Sequence, residues 1–394
     1  YLLNKLKKQF HINIFSKKDV IIMTYGVGFY GCGSIGKVHI YSYHNLPFFF
    51  DPPALKMELK GVCTSNVKSA SKAKNEFKFD FATTDYQKLL SRDDINIVHC
   101  VTPNHLHRDF VVEAIKTGKH IYCEKPLALN LSQAQDIEKT ANKVNYQQKF
   151  QITHQYRYLP ATLRAKKMIE DGFLGKIYGF RAQYLHSSYI DPERPMSWRL
   201  DLDRAGSGAL GDLGSHVLDL IYHFMGPFDK VMAAQKTFIK ERPSPNKKEY
   251  DKAKVKVDDV TNSLVYMKNG AMGTIEAWRL ATGSEDELRF EIHGNKGAMR
   301  FNLMEPNWLE IYDMSDENKP YGGKKGWKKV DTIQHYPEPA NFPGSNVSIG
   351  WLRAHVQCLH AFLNSIDKNN TPSPSLKEGV YIQKVIEKME DSAD

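Results

Sequence analysis

The chain has no apolar run near the roughly 20 residues that an α-helix needs to cross a bilayer, so no membrane partner is expected. Cysteine is scarce, with five in 394 residues. Cys32, Cys63, Cys100, Cys123 and Cys358 show no CxxC spacing, and four of them fall in or beside segments that read as buried strands. That pattern supports neither a disulfide framework nor a metal site, and it suits a reducing cytoplasm. Internal repeats and low-complexity tracts are also missing.

Acidic residues are in deficit, since 45 Asp and Glu against 54 Lys and Arg leave a formal charge of +9. The surplus is poorly placed for nucleic acid. Lys5, Lys7, Lys8, Lys17 and Lys18 against Asp19 supply +4 of it before Met23. A second basic stretch, Lys236 to Lys256, contains Pro243 and Pro245 and reads as a solvated insertion rather than a phosphate-tracking surface. Residues 1–22 lack an initiating Met, a continuous apolar core and a small-residue cleavage site, so they do not read as a secretory signal. They read as an extension upstream of Met23 or as a short amphipathic surface helix, and both alternatives stand.

What is present is enough chain for two cores. From Thr24, strand and helix patterns alternate: strands at Met57–Cys63, Ile95–Val101, His120–Cys123 and Phe150–His154, and helices at Ser69–Glu76, His107–Thr117 and Ser132–Val144. Alternation with short connections implies a parallel sheet with helices on both faces. After Pro160 the texture changes. Strand-like stretches at Ile177–Leu185, Lys230–Ile239, Val260–Lys268, Ala271–Leu280, Leu288–His293, Ala298–Leu303 and Trp308–Asp313 follow one another across hairpin-length turns, the mark of antiparallel pairing. One helix, Ala209–Met225, interrupts them, and two more, Leu352–Asp367 and Leu376–Ser392, are expected to pack back across both units. The expected organisation is an extension 1–22, a Rossmann unit 23–153 and an α/β substrate unit 154–394.

Three groups of residues carry chemistry. The first is Gly31-Cys-Gly33-Ser34-Ile35-Gly36, which follows a strand and opens a helix. There Gly31 permits the tight turn, Gly33 lets backbone approach a dinucleotide pyrophosphate, and Gly36 allows close packing of helix on strand. The acidic residue that usually grips the NAD ribose at the end of the second strand is missing. Thr64, Ser65 and Asn66 stand there instead, with Lys68 beyond and no Arg, so NAD is favoured while NADP stays open. The second group is Thr102-Pro103-Asn104-His105-Leu-His107 and Gly118-Lys-His-Ile-Tyr-Cys-Glu124-Lys125-Pro126, both at expected strand ends where such sheets collect ligands. Of the two histidines one is expected to line the cofactor pocket, taken here as His107, and the other to satisfy a helix start. The third is Gly211-Asp212-Leu-Gly214-Ser-His216-Val-Leu-Asp219, which places Asp212 and His216 on one helix face.

Together these strings resemble the glucose-fructose oxidoreductase, inositol dehydrogenase and MocA (Gfo/Idh/MocA) family, in the family's order and at compatible spacings from about Thr24 onward. The resemblance implies a Rossmann domain plus a domain built on a large, open, mostly antiparallel sheet that pairs subunits into dimers or tetramers. It implies that Lys125 contacts the nicotinamide side and the reacting hydroxyl, that His216 exchanges the proton, and that Asp212 positions the substrate or His216. This chain has Gln155 before Tyr156-Arg157 where family enzymes often have Asn, which leaves the nicotinamide contact there in question.

Elementary chemistry is consistent with those roles. Removing hydride from a carbinol carbon makes its hydroxyl acidic, so oxidation needs a group that takes the proton, and histidine suits this near neutral pH. An ammonium beside the same oxygen stabilises negative charge and lowers the histidine's proton affinity, while a carboxylate orients the imidazole. The plainer alternatives are a helix-bridging His216–Asp212 pair and a solvated Lys125. For the substrate, the polar loop His186 to Arg199 carries Tyr189 and Trp198, whose aromatic faces suit the C–H face of a sugar ring, with His186 and Arg199 available to its hydroxyls. Trp198 as a core anchor is the alternative. A glycoside oxidised to a 3-keto sugar is the first expectation and a cyclitol the second. Two other classes remain: a glycosidase using NAD for transient oxidation, with Tyr189 or His186 as extra base, and a dinucleotide-sensing regulator.

Overall fold

The computed structural model describes residues 24–51, 53–244, 251–340 and 342–393; the extension 1–22 and Met23 lie outside them. The first unit runs β1 (Thr24–Tyr30), α1 (Ser34–Phe49), β2 (Lys56–Cys63), α2 (Val67–Phe77), β3 (Phe81–Thr83), α3 (Tyr86–Leu90), β4 (Ile97–Cys100), α4 (His107–Lys116), β5 (His120–Cys123), α5 (Leu131–Lys143) and β6 (Phe150–Ile152). Its six strands form a parallel sheet in the order β3-β2-β1-β4-β5-β6. Chain direction across the sheet reverses between β1 and β4, which opens a crevice at their carboxyl ends. The central strand β4 is buried throughout because helices cover both faces. Helix starts follow side-chain chemistry: Asn66 Oδ1 accepts from Ser69 N at 2.9 Å and Asn130 Oδ1 from Gln133 N at 3.0 Å. The edge strand β3 and the single-turn α3 are too short for a periodic signal and were not expected.

A 3₁₀ turn at Gln155–Tyr158 leads into α6 (Pro160–Glu170) and β7 (Ile177–Leu185). Then come α7 (Leu202–Ala205), a wide π-type turn at Leu210–Gly214 and α8 (Ser215–Met225), so the one helix expected over 209–225 is divided just before His216. The rest is β8 (Phe228–Lys236), β9 (Glu241–Pro243), β10 (Lys252–Lys254), β11 (Val260–Met267), β12 (Met272–Trp278), β13 (Glu287–Gly294), β14 (Gly297–Asn302), β15 (Trp308–Asp313), β16 (Lys328–Asp331), α9 (Trp351–Asp367) and α10 (Leu376–Ala393). Eight strands form a sheet ordered β16-β15-β14-β13-β7-β12-β11-β8, antiparallel except where β12 meets β7. β9 and β10 make a separate ribbon.

One face of the large sheet packs under α8, where Leu218, Ile221 and Phe224 meet Phe180, Ile275 and Phe290. The opposite face leaves Met232, Tyr266 and Met272 exposed. Helix α9 returns to the first unit, burying Val356, Leu359 and Phe362 with Ile40 and Tyr43 of α1. α10 lies against α5, α8 and β8, so the two C-terminal helices bind both sheets together. Among the described residues no helix is long and apolar enough to cross a membrane.

Candidate active site

The crevice continues into a cavity of about 870 Å³ that runs from the glycine turn to α8 and the 186–199 loop. Gly31 sits at φ +101°, and a Cβ there would stand 2.5 Å from Val101 O, so the turn admits only glycine. Gly33 is different. A Cβ built on it meets nothing within 4 Å and points into open cavity, the gap a pyrophosphate needs. The N-terminus of α1 has no side-chain cap, which leaves its first amides for an anion. Ser34 and Ile35 line the cavity, whereas Gly36 packs inward, its built Cβ 3.3 Å from Val101 Cγ2. At the end of β2, Thr64, Ser65 and Asn66 line the wall; no Lys or Arg joins them there among the described lining residues, which fits ribose hydroxyls better than a 2′-phosphate.

Thr102, Pro103 and Asn104 line the same wall, and Asn104 Nδ2 donates to Ala205 O at 2.8 Å across the two units. His107 does not join them. It is fully buried, its ring nitrogens 2.9 Å from Thr102 O and 3.1 Å from Pro126 O, so it braces the loop ends that carry the lining residues. His105 is likewise outside the lining. The sulfurs of Cys100 and Cys123 and the His107 ring come within 4.8 Å of one another, but both ring nitrogens are already engaged by carbonyls. Glu124 reaches the cavity wall and is held from behind. His39 Nε2 lies 3.1 Å from its Oε1, His39 Nδ1 3.0 Å from His99 Nδ1, and His99 Nε2 2.7 Å from Tyr43 Oη. One assignment satisfies every atom with both rings neutral: Tyr43 donates to His99, His99 to His39, and His39 to the carboxylate. Burial pulls the Glu124 carboxyl upward, yet the His39 contact and the nearby Lys125 hold it below its ordinary value.

At the far end of the crevice, Lys125 Nζ donates to Asp212 O at 2.6 Å and Oδ1 at 3.1 Å. Asp212 Oδ2 lies 3.3 Å from Arg279 Nη2 and 3.7 Å from Arg199 Nε. Burial works against the Asp212 carboxylate, but Lys125, Arg279 and Arg199 hold its pKa well below the usual range. The carboxylate thus serves the ammonium rather than the imidazole that the four-residue spacing suggests. His216, the second residue of α8, is buried edge-on against Tyr156 (4.9 Å), His154 (5.4 Å) and Tyr184 (5.8 Å), ring centroid to ring centroid. Its Nδ1 is sealed without a partner, so Nε2 is the nitrogen that opens on the cavity. Burial first, then the Lys125 ammonium, push its pKa well below the ordinary histidine value. The last motif residue, Asp219, grips Arg157 with both oxygens at 2.6 and 2.7 Å, tying α8 to the 3₁₀ turn that presents Gln155 and Tyr156 to the cavity.

The substrate end is framed by His186, Tyr189, Trp198 and Arg199. Trp198 is half-buried and lines the cavity with the Arg199 guanidinium 4.5 Å above its ring, so it is not a core anchor. A relay of hydroxyls passes behind the site: Trp351 Nε1 donates to Tyr156 Oη (3.2 Å), the Tyr156 and Tyr184 hydroxyls meet at 2.7 Å, and Tyr184 donates to Asp286 Oδ1 (2.6 Å), which also lies 3.1 Å from His186 Nε2.

Comparison with known proteins decides the family. The model described as the oxidoreductase family with NAD-binding Rossmann fold matches residues 25–152, and the GFO/IDH/MocA C-terminal domain matches residues 162–300. The chain belongs to the Gfo/Idh/MocA family. It is 34% identical over 382 residues to levoglucosan dehydrogenase of Pseudarthrobacter phenanthrenivorans, covering 93% of this chain and 95% of that one. It is 24% identical to glucose-6-phosphate 3-dehydrogenase of Bacillus subtilis over 92% and 94% of the two chains. A solved levoglucosan dehydrogenase in complex with NADH and L-sorbose superposes with a TM-score of 0.89 at 33% identity, covering 94% and 97%.

As a Gfo/Idh/MocA member, the protein is an oxidoreductase with an NAD-binding Rossmann domain. Its cavity brings together every expected site residue except Gly36 and His107, which support it from inside. Sequence reasoning missed Arg279 just past β12, Trp351 and His355 on α9, and Tyr184 at the end of β7, all of which line the cavity. Arg279 carried a signal, being an isolated cation at the end of an apolar strand.

Proposed function

We propose that the protein oxidises a ring secondary alcohol of a sugar, with a pyranoside converted to its 3-keto form as first choice and a cyclitol as second. The observation that carries this reading is the meeting of Lys125 and His216 at one cavity wall, the ammonium fixed by Asp212 and the imidazole kept neutral by burial and by that ammonium. Bound NAD supplies the hydride acceptor. His216 Nε2 takes the hydroxyl proton, and Lys125 stabilises the negative charge growing on the oxygen. The Trp198–Arg199 stack offers an apolar face and donors to a ring. Relatives that act on levoglucosan and on glucose 6-phosphate at its third carbon support a sugar substrate.

We assign the protein to the cytoplasm, and to dimers or tetramers formed through the exposed sheet face that carries Met232, Tyr266 and Met272. Light scattering on the purified protein reads the assembly mass directly. For the activity, a panel of pyranosides and cyclitols is incubated with NAD and with NADP. Net NADH formation on a sugar supports the reading. Release of an aglycone without net NADH means a glycosidase, and cofactor binding with neither means a sensor.

A further inference from the structure

The basic stretch 236–256, which the sequence presents as solvated surface, sends one side chain inward. Its described lysines point outward, Lys240, Lys252 and Lys254 being exposed, while Arg242 between them is 0% exposed. Among the described residues no carboxylate pairs directly with this guanidinium, although the Asp259 charge acts on it from further off. Nη1 donates to Asp191 O at 2.7 Å and Arg194 O at 3.4 Å, and Nη2 to Tyr189 O at 2.5 Å, while Nε has no partner among the described residues. All three acceptors are main-chain carbonyls of one segment, the loop between β7 and α7 that frames the substrate end. Beside it Met196 N donates to Pro243 O at 2.8 Å, and Val255 and Val257 bury against Tyr189 and Leu200.

Sinking a guanidinium with no carboxylate in direct contact among the described residues costs several kcal/mol of hydration that well-placed acceptors must offset. A solvated spacer has no use for that arrangement, and a loop that must hold one shape does. The contacts also lead to the chemistry. The Tyr189 ring lies 5.8 Å from the Arg242 guanidinium on one side and 5.1 Å from that of Arg279 on another, and Arg279 donates to Asp212, which holds Lys125.

We infer that Arg242 is a positioning residue: the β9–β10 ribbon that carries it clamps the substrate loop, and so sets how tightly the sugar is held. This rests on the sugar-oxidising reading, and the test separates the two. Arg242→Met and Arg242→Lys are compared with wild type for sugar KM and kcat, for NADH Kd, and for hydrogen exchange at the amides of Arg194, Met196 and Leu200. Expected for Arg242→Met is a KM at least tenfold higher with kcat within about threefold, unchanged NADH Kd, and loss of amide protection confined to the loop, with Arg242→Lys between it and wild type. Unchanged KM and loop exchange overturn the inference, as does a parallel loss of kcat, NADH binding and exchange protection everywhere. Should Arg242→Met not fold, Arg242→Lys decides alone by the same split. If wild type oxidises no sugar, the activity reading fails, while loop exchange still rules for or against the clamp.

Discussion

At the level of single residues, Lys125 and His216 carry different duties that mutation separates. His216→Ala removes the proton acceptor and Lys125→Ala the charge beside the reacting oxygen, while neither lies at the glycine turn. Each is expected to lower turnover by at least about a hundredfold with NADH Kd changed little, as read by steady-state kinetics and fluorescence titration. Their coupling gives a sharper test. The Lys125 ammonium is one of the causes that depress the His216 pKa, so its removal lets that pKa rise. The residual activity of Lys125→Ala is therefore expected to fall off at a higher pH on the acid side than wild type does, whereas an unmoved acid limb would break the link. The two glycines differ as cleanly. Gly31→Ala forces a left-handed residue against Val101 O and is expected to lower Tm, at about 1–3 kcal/mol. Gly33→Ala has open space for its methyl and is expected to leave Tm unchanged while weakening NADH binding at least about tenfold. These residues were legible in the sequence because each sits in a short string whose chemistry is local. Arg279, Tyr184 and Trp351 were not, since they reach the cavity only through strand register and helix packing distant in the chain.

Among elements, the strands and helices with a clear period were legible, and the exceptions share a physical cause. β3 has three residues and α3 has five, too few for a pattern, and the division of 209–225 comes from a π-type turn that hydropathy does not register. Lys236–Lys256 looked polar because its buried members, Arg242, Val255 and Val257, are spaced among exposed lysines. The placement of α8 depends on a contact that joins two motifs read separately. Arg157 from the turn after β6 meets Asp219 bidentately with both side chains 2% exposed, and its Nη1 also reaches Glu378 of α10 at 2.9 Å. Removing one partner strands a buried charge, so Asp219→Ala is expected to cost about 3–5 kcal/mol in denaturant unfolding. Asp219→Asn, which keeps the shape and part of the hydrogen bonding, should lose less. A change below about 1 kcal/mol for the alanine variant would mean that α8 is held by its apolar face alone.

For the whole molecule, the two-layer plan was readable from the switch between alternating and hairpin texture, but the bridging by α9 and α10 has a consequence that no single segment displays. It helps to enclose a set of histidines, two of which, His355 and His360, belong to α9 itself. His99, His154 and His216 are pushed well below the ordinary value of 6.5 by burial; His120 and His360 are lowered to about 4 and His355 to about 3, again chiefly by burial. In the unfolded chain each ring takes its proton near 6.5, whereas the folded protein refuses it until the pH is far lower, so the unfolded state binds more protons throughout that interval. The contribution of these rings to stability is then complete above about pH 6.5 and is lost progressively as the pH falls toward 4, by up to about 1.4 kcal/mol per pH unit for each ring, outweighing the opposite contribution of the raised carboxyl of Glu390. Circular dichroism melts between pH 8 and pH 4 should show a flat Tm down to about 6.5 and a steepening fall below it. A Tm as high at pH 5 as at pH 7 would mean that these rings are not held neutral in the core. His216 would then reach the substrate already protonated over much of that range, unable to accept the hydroxyl proton that the proposed oxidation must remove.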